Sequence, residues 1–288
     1  GDMSRVCCVG HVNWDVTLRL DALPDPDAEA VVRETSQTGG GSAANVAVGL
    51  AGLDCAVTLV GSVGDDEHGL LARRDLDRAG VDLSRLRTVD GETTTKYLLV
   101  DDTGEVSVLA TPGVNEALGP HDIDPEPIRA ADHVHVTAHR PDTVARVADI
   151  ATDAGVPLSI DPGRRVESRE YGPVLEAADL LFVNDREADC LDAPTPPVVV
   201  RKCGTDGAVV ETPESRYVHD GYRPPAVDTT GAGDAFAAGY IASRLRDRDH
   251  PEALATANAA GALTTESKGP KTDLGWERLD AIQTGERE

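Results

Sequence analysis

Residues 228 to 234 read Asp-Thr-Thr-Gly-Ala-Gly-Asp and run straight into a small, apolar, helix-forming segment over 235–245. A glycine-rich turn at a helix start leaves backbone N–H groups and the positive end of the helix dipole open to an anion. Asp234 sets a carboxylate inside that first turn, and two readings of it stand side by side. It complements the helix N-terminus, as acidic residues often do, or it takes the proton of a hydroxyl that attacks a phosphate held by the loop. Other chemistry-bearing residues follow apolar runs: Asn13 and Asp15, Asp161, Asn184 and Asp228. Any one alone suits a turn or a cap. Several at one sheet edge suit a ligand site, because ligands of open α/β sheets bind beyond the carboxyl ends of the strands.

The elements that must position these groups alternate between strand and helix. Residues 5–10 and 15–20 read as strands, 42–53 as a buried helix after Gly39-Gly40-Gly41, 56–61 as a strand and 66–79 as a helix. Residues 93–100 and 105–110 form a hairpin pattern around Asp101-Asp102-Thr103-Gly104. Strands at 133–137, 157–160, 180–183 and 198–201 then alternate with helices at 142–153, 171–177 and 185–190. A terminal hairpin (207–211, 216–219) and two long helices (234–245, 251–264) complete the pattern. Strands separated by helices imply βαβ units and a parallel sheet with right-handed crossovers. The early strands break that rhythm and are expected to stand off the main body as a small lid.

Composition limits the partners. The 288 residues carry a net charge of −24, which argues against nucleic acid bound through a basic face. The acidity is spread along the chain, and lysine occurs only at 96, 202, 268 and 271. Such a carboxylate-rich, lysine-poor surface is expected of a protein from a salt-accumulating halophile. Five cysteines (7, 8, 55, 190 and 203) lack metal-ligand spacing, so free, mostly buried thiols in a reducing cytoplasm are expected. Cys7 and Cys8 adjoin in a strand and should face opposite ways. No run has the length to span a membrane and no signal peptide opens the chain.

Two segments carry a resemblance to a known family. Gly39-Gly40-Gly41-Ser42-Ala43-Ala44-Asn45-Val46-Ala47 is similar to the Gly-Gly-x-x-x-Asn segment of the ribokinase-like (PfkB) carbohydrate kinases, and residues 228–234 match that family's Asp-Thr-x-Gly-Ala-Gly-Asp. Asn13-Trp14-Asp15, Gly113-Val114-Asn115 and Asn184-Asp185-Arg186-Glu187 add to the likeness, which covers nearly the whole chain. The resemblance implies one ribokinase-like domain over 3–288: a three-layer αβα sandwich with a mostly parallel sheet, and a β-sheet lid from parts of 13–37 and 92–112. It implies an ATP-dependent sugar kinase with Asp234 as general base and the N–H groups of Gly231, Ala232 and Gly233 as anion hole. Asn13, Asp15, Gly40, Gly41, Asn45 and Asp228 would hold sugar hydroxyls. Asn184 and Glu187 would place Mg²⁺ through water, and Thr205, Gly207 and Asn258 would contact the nucleotide. Many relatives also use a monovalent cation such as K⁺ near the anion loop, and many dimerise through the lid, whose exposed edge would permit it here.

Departures from the pattern widen the choice of acceptor. Where ribokinases proper carry Gly-Gly-Lys-Gly-Ala-Asn, this chain has Ser42 in place of the lysine that contacts ribose, so D-ribose is one candidate beside nucleosides and sugar phosphates. Thr95-Lys96, or Arg140, could meet a phosphate already on the sugar, although each also suits a solvated surface. Trp14 should point away from Asn13 and Asp15 into the core. His133, His135 and His139 lack partners at metal-ligand spacing. Residues 61–64 fall short of a dinucleotide fingerprint, and no P-loop motif occurs. A binding protein without turnover is the reading from another class; Asp234 with an intact Gly231-Ala232-Gly233 favours the enzyme, since a binder has no use for the base.

Overall fold

The structure, a computed structural model, describes residues 3–103, 106–191, 195–223, 229–266 and 273–285. Asp228, one of the expected sugar ligands, lies outside the described residues, as do Gly104 and Glu105 of the expected hairpin. In chain order the elements begin β1 (Arg5–Val9), β2 (Asn13–Leu20), β3 (Val32–Gly40), α1 (Ser42–Gly52), β4 (Ala56–Gly64), α2 (Glu67–Arg78), β5 (Leu86–Val89), β6 (Thr95–Val100) and β7 (Val106–Ala110). Then come α3 (Pro125–Arg129), β8 (His133–Thr137), α4 (Pro141–Ala154), β9 (Leu158–Asp161), α5 (Gly172–Ala177), β10 (Leu180–Asn184) and α6 (Asp185–Ala188). The chain ends with β11 (Val198–Lys202), β12 (Ala208–Glu211), β13 (Arg216–His219), α7 (Ala232–Arg244), α8 (His250–Thr265) and α9 (Trp276–Thr284).

Among the described residues, nine strands build the main sheet in the order β13-β12-β11-β10-β9-β8-β1-β4-β5. Every pair from β11 to β5 is parallel, and β12 and β13 finish one edge as antiparallel strands. Central strands such as Leu180-Leu181-Phe182-Val183 are apolar without alternation because helices cover both faces. Cys8 and Phe182 face a core shared with α1, α2, α7, α8 and α9, while Cys7 and Leu181 face one shared with α3, α4 and α5. Neighbouring residues therefore serve opposite layers, which is the expected αβα sandwich and the expected split of Cys7 from Cys8.

A second sheet, β3-β2-β6-β7, forms the lid. β2 runs antiparallel to β3 and parallel to β6, and β7 returns antiparallel to β6. β3 extends to Gly40, three residues beyond the lid expected from the sequence, so the chain passes from lid strand to α1 through Gly41 alone. Four elements have no counterpart in the sequence reading: β3, β5, α3 and α9. β3 explains itself, because Val32 to Gln37 are exposed and leave no apolar alternation to read. The last long helices are found within two residues of expectation; α7 starts at Ala232 instead of 234 because Gly231, at φ 76°, turns the chain into the helix.

Candidate active site

Both signature segments start helices that pack together. Gly49 of α1 lies so close to Ala238 of α7 that a Cβ at 49 would stand 2.8 Å from the Ala238 methyl. This contact sets Asn45, one turn into α1, against Asp234, the third residue of α7. Asn45 Nδ2 donates to Asp234 Oδ2 at 2.9 Å. The N–H groups of Gly233 and Asp234 belong to the first turn of α7, where helix geometry supplies no acceptor. Ala232 differs, since its N–H donates to the Thr229 carbonyl at 3.2 Å. Of the three donors expected in the anion hole, that one is already engaged.

Asp234 is only partly open to solvent and lies deep among protein atoms. Burial pushes its carboxyl up to about 6, and nearby Asp161 adds to the rise, while Asn45, Lys202 and Lys96 oppose it. A carboxyl titrating near neutrality, beside free N–H groups, has the properties of a base that can accept a proton and release it again.

The wall beside Asp234 comes from the junction of lid and sandwich. Asn13 and Asp15 are buried at the start of β2, and Asn13 pairs with Gly40 across the strand. Asn115 Nδ2 donates to Asn13 Oδ1 at 2.7 Å. A Cβ on Gly40 would collide with the Asp15 carboxylate, and one on Gly41, at φ 96°, would collide with the His11 carbonyl. Both glycines are thus required for close approach, and Gly41 also for its backbone angle. Trp14 points the other way, as expected: it is buried, its Nε1 donates to Gln37 Oε1 at 2.9 Å, and its ring stacks on His68 at 5.8 Å.

Toward α7 the sheet ends in charges. Lys202 Nζ, at the end of β11, donates to Asp161 Oδ2 at 2.7 Å, and a Cβ on Gly233 would stand 3.5 Å from the same nitrogen. Burial works against the Lys202 ammonium, but Asp161, Glu187 and Asp234 together outweigh it and hold its pKa up. Glu187 is buried, and burial with Asp161 keeps its carboxyl above the usual range. Asn184 and Glu187 cap α6 reciprocally: Asn184 Oδ1 accepts from Glu187 N at 2.8 Å and Glu187 Oε2 accepts from Asn184 N at 2.9 Å. Among the described residues no three His, Cys, Asp or Glu side chains could hold a metal ion directly. The donor set still fits Mg²⁺, a hard cation that keeps several waters and accepts one or two carboxylates.

Farther along the same edge, Gly207, Gly221 and Asn258 come together. A Cβ on Gly207, at φ 84°, would strike the His219 carbonyl, and one on Gly221 would stand 3.6 Å from Asn258 Oδ1. Asn258 Nδ2 is bonded back to the Leu254 carbonyl at 2.8 Å. Thr205 is exposed in the turn just before Gly207. His133 and His135 do not face the cleft, since both rings contact Ser159 Oγ at 2.7 Å inside the protein.

Lys202 is the residue that motif reading passed over. Its signal was rarity, one of four lysines in a chain of 288 and placed at a strand end. A second group was also missed: His11, Glu116 and Arg169, which meet beside Asn13. Arg169 holds Glu116 through two bonds of 2.7 and 2.9 Å, and His11 Nε2 lies 2.6 Å from Glu116 Oε1. These partners sit 53 and 105 residues apart, too far for any local pattern to connect them.

The chain resembles known proteins over most of its length. The model of the pfkB family carbohydrate kinases matches residues 3–276. An ATP-dependent ribose-1-phosphate kinase of Halopiger xanaduensis is 56% identical over 280 residues, covering 94% of this chain and 95% of its own. A nucleoside kinase of Methanothermobacter thermautotrophicus is 28% identical, covering 92% and 91%. Among solved structures, Arabidopsis thaliana ribokinase complexed with ribose and ATP superposes with a TM-score of 0.86 at 24% identity, over 98% of this chain and 99% of its own. With both signatures joined at the Asn45–Asp234 bond, the chain belongs to the pfkB family of carbohydrate kinases.

Proposed function

We propose that this carbohydrate kinase transfers the γ-phosphate of ATP to the primary hydroxyl of a pentose 1-phosphate, with ribose 1-phosphate as its acceptor. The observation that carries the acceptor is the 56% identity to the Halopiger xanaduensis ribose-1-phosphate kinase across 94% of the chain. Ser42, standing where ribokinases place a lysine, agrees with an acceptor other than free ribose.

In this reading Asp234 accepts the hydroxyl proton as the oxygen attacks phosphorus, and its carboxyl near 6 is tuned for that transfer. Asn45 holds the carboxylate oxygen in place and favours the charged form. Asp15, Asn13 and the backbone at Gly40 and Gly41 bind the remaining hydroxyls, and Asp228 joins them. The N–H groups of Gly231 and Gly233 stabilise charge on the transferred group, Lys202 supplies a fixed positive charge beside them, and Ala232 contributes once its bond to Thr229 opens. Thr205, Gly207 and Asn258 face the nucleotide. Asn184 and Glu187 would hold Mg²⁺ through water, where it would neutralise phosphate charge; a monovalent cation such as K⁺ would sit by the anion loop.

The net charge of −24 supports activity in concentrated KCl and a cytoplasm rich in salt. Exposed Val32, Val106, Val108 and Leu109 on the lid support a homodimer through that sheet, which light scattering in high salt tests. One experiment tests the function: ADP release in high KCl with ribose, ribose 1-phosphate, ribose 5-phosphate and nucleosides as acceptors. Ribose 1-phosphate should give the highest kcat/KM. Preference for a nucleoside or free ribose would refute the acceptor, and tight binding without turnover of any would refute the kinase.

A further inference from the structure

Basic side chains from three distant stretches meet at the carboxyl ends of β1 and β8, in a chain that is otherwise strongly acidic. The His11 and His139 rings lie 5.8 Å apart. Arg169 reaches them through Glu116, which it shares with His11. Arg140 follows His139 directly, occupies the N-cap of the fourteen-residue α4, and is held by Asp142 at 3.1 and 2.6 Å. Two carboxylates thus stand against two guanidinium groups, two imidazoles and the positive end of a helix.

His139 marks the place as a site. It is 1% exposed, and neither of its ring nitrogens has a hydrogen-bond partner. A buried imidazole with both nitrogens unpaired carries a penalty that packing alone does not justify. Its backbone, by contrast, is fixed: Tyr171 donates its hydroxyl to the His139 carbonyl at 2.8 Å. The cluster also joins the sugar wall. Glu116 follows Asn115, which is bonded to Asn13, and the His11 carbonyl lies beneath Gly41. The charges acting most strongly on Asp234 are Asp161, Lys202 and Lys96, none of which belongs to this cluster.

We infer that His11, His139, Arg140 and Arg169 form an anion subsite for the phosphate that the sugar already carries. The inference rests on the reading of the chain as a sugar-phosphate kinase and names the residues that would make it one. His139 gains the acceptor it lacks, and Arg140 and Arg169 supply charge-assisted bonds. Burial holds His139 down to about 4, with His11, Arg140 and Arg169 adding to the effect and Glu116 opposing it. It is therefore neutral in the free protein, and its ring N–H can donate to a phosphate oxygen.

The test uses the full chain in high KCl at pH 8, with the nucleotide site filled by a non-hydrolysable ATP analogue. Inorganic phosphate is titrated by calorimetry, and steady-state kinetics are measured with ribose 1-phosphate. Wild type should bind phosphate. Arg140→Gln and His139→Asn should each weaken phosphate binding and raise KM for ribose 1-phosphate about tenfold or more, as loss of a charged hydrogen bond does. KM for ATP should hold, and because Arg140 is exposed its replacement keeps the test open if His139→Asn does not fold. Turnover of ribose 1-phosphate with KM unchanged in both variants overturns the subsite and leaves the kinase reading standing. His139-dependent phosphate binding without turnover of any sugar phosphate keeps the subsite and overturns that acceptor. Absence of both overturns both.

Discussion

Replacing the proposed base should make the protein more stable while it becomes inactive. Asp234 titrates at about 6 in the folded protein against an ordinary 3.8. Between those values the folded state holds a proton that the unfolded chain has lost, so the ionised carboxylate is penalised by folding above pH 6. The penalty fades as pH falls through that window. Two pKa units correspond to roughly 3 kcal/mol at pH 8, an upper figure because the side chain is partly open to water. Asp234→Asn removes the charge yet keeps an oxygen to accept from Asn45. At about 2 °C per kcal/mol for a chain of this size, Tm should rise by up to about 6 °C at pH 8. Thermal unfolding of both proteins at pH 8 and pH 4 in the same KCl is the assay. An Asp234→Asn protein no more stable at pH 8, or equally favoured at pH 4, would refute the reasoning that burial sets this pKa.

Three further outcomes follow from the same geometry. Asn45→Ala removes a bond to the charged carboxylate worth about 1.5–3 kcal/mol, so the acidic limb of the kcat/KM profile should move up by roughly 1–2 pH units; an unmoved limb would contradict the role of that bond. Lys202→Met leaves the part-buried Asp161 without its partner and should cost up to about 3–5 kcal/mol in denaturant unfolding, while Lys202→Met with Asp161→Asn should recover most of it. No recovery in the double variant would count against the pair. Gly40→Ala forces the Asp15 carboxylate aside and should raise the sugar KM at least tenfold with little change in Tm; an unchanged KM would remove Asp15 from the pocket.

Much of this architecture is legible in the sequence, and the exceptions have physical causes. The central strands announce themselves because both faces are buried, and α1 and α7 because glycine turns precede small apolar helices. β3 is hidden because a lid strand exposed through Gln37 needs no apolar side chains there, and β5 because four residues carry little pattern. At the site, Asp234 and Asn45 lie in contiguous motifs. The Lys202–Asp161 pair spans 41 residues and forms only when β9 and β11 lie two strands apart in the sheet. His139 reads as a failed metal ligand in sequence; its burial and unpaired nitrogens appear only once β1 and β8 are neighbours.

The proposed Asp-assisted transfer from ATP to a sugar phosphate is tested most directly by ADP formation with ribose 1-phosphate by wild type and Asp234→Asn, with calorimetry confirming that the variant still binds the sugar phosphate. Wild type should turn over, and the variant should bind normally with kcat reduced at least a thousandfold, roughly the loss expected when a general base and its charge are both removed. A variant retaining a tenth of wild-type kcat would contradict the account.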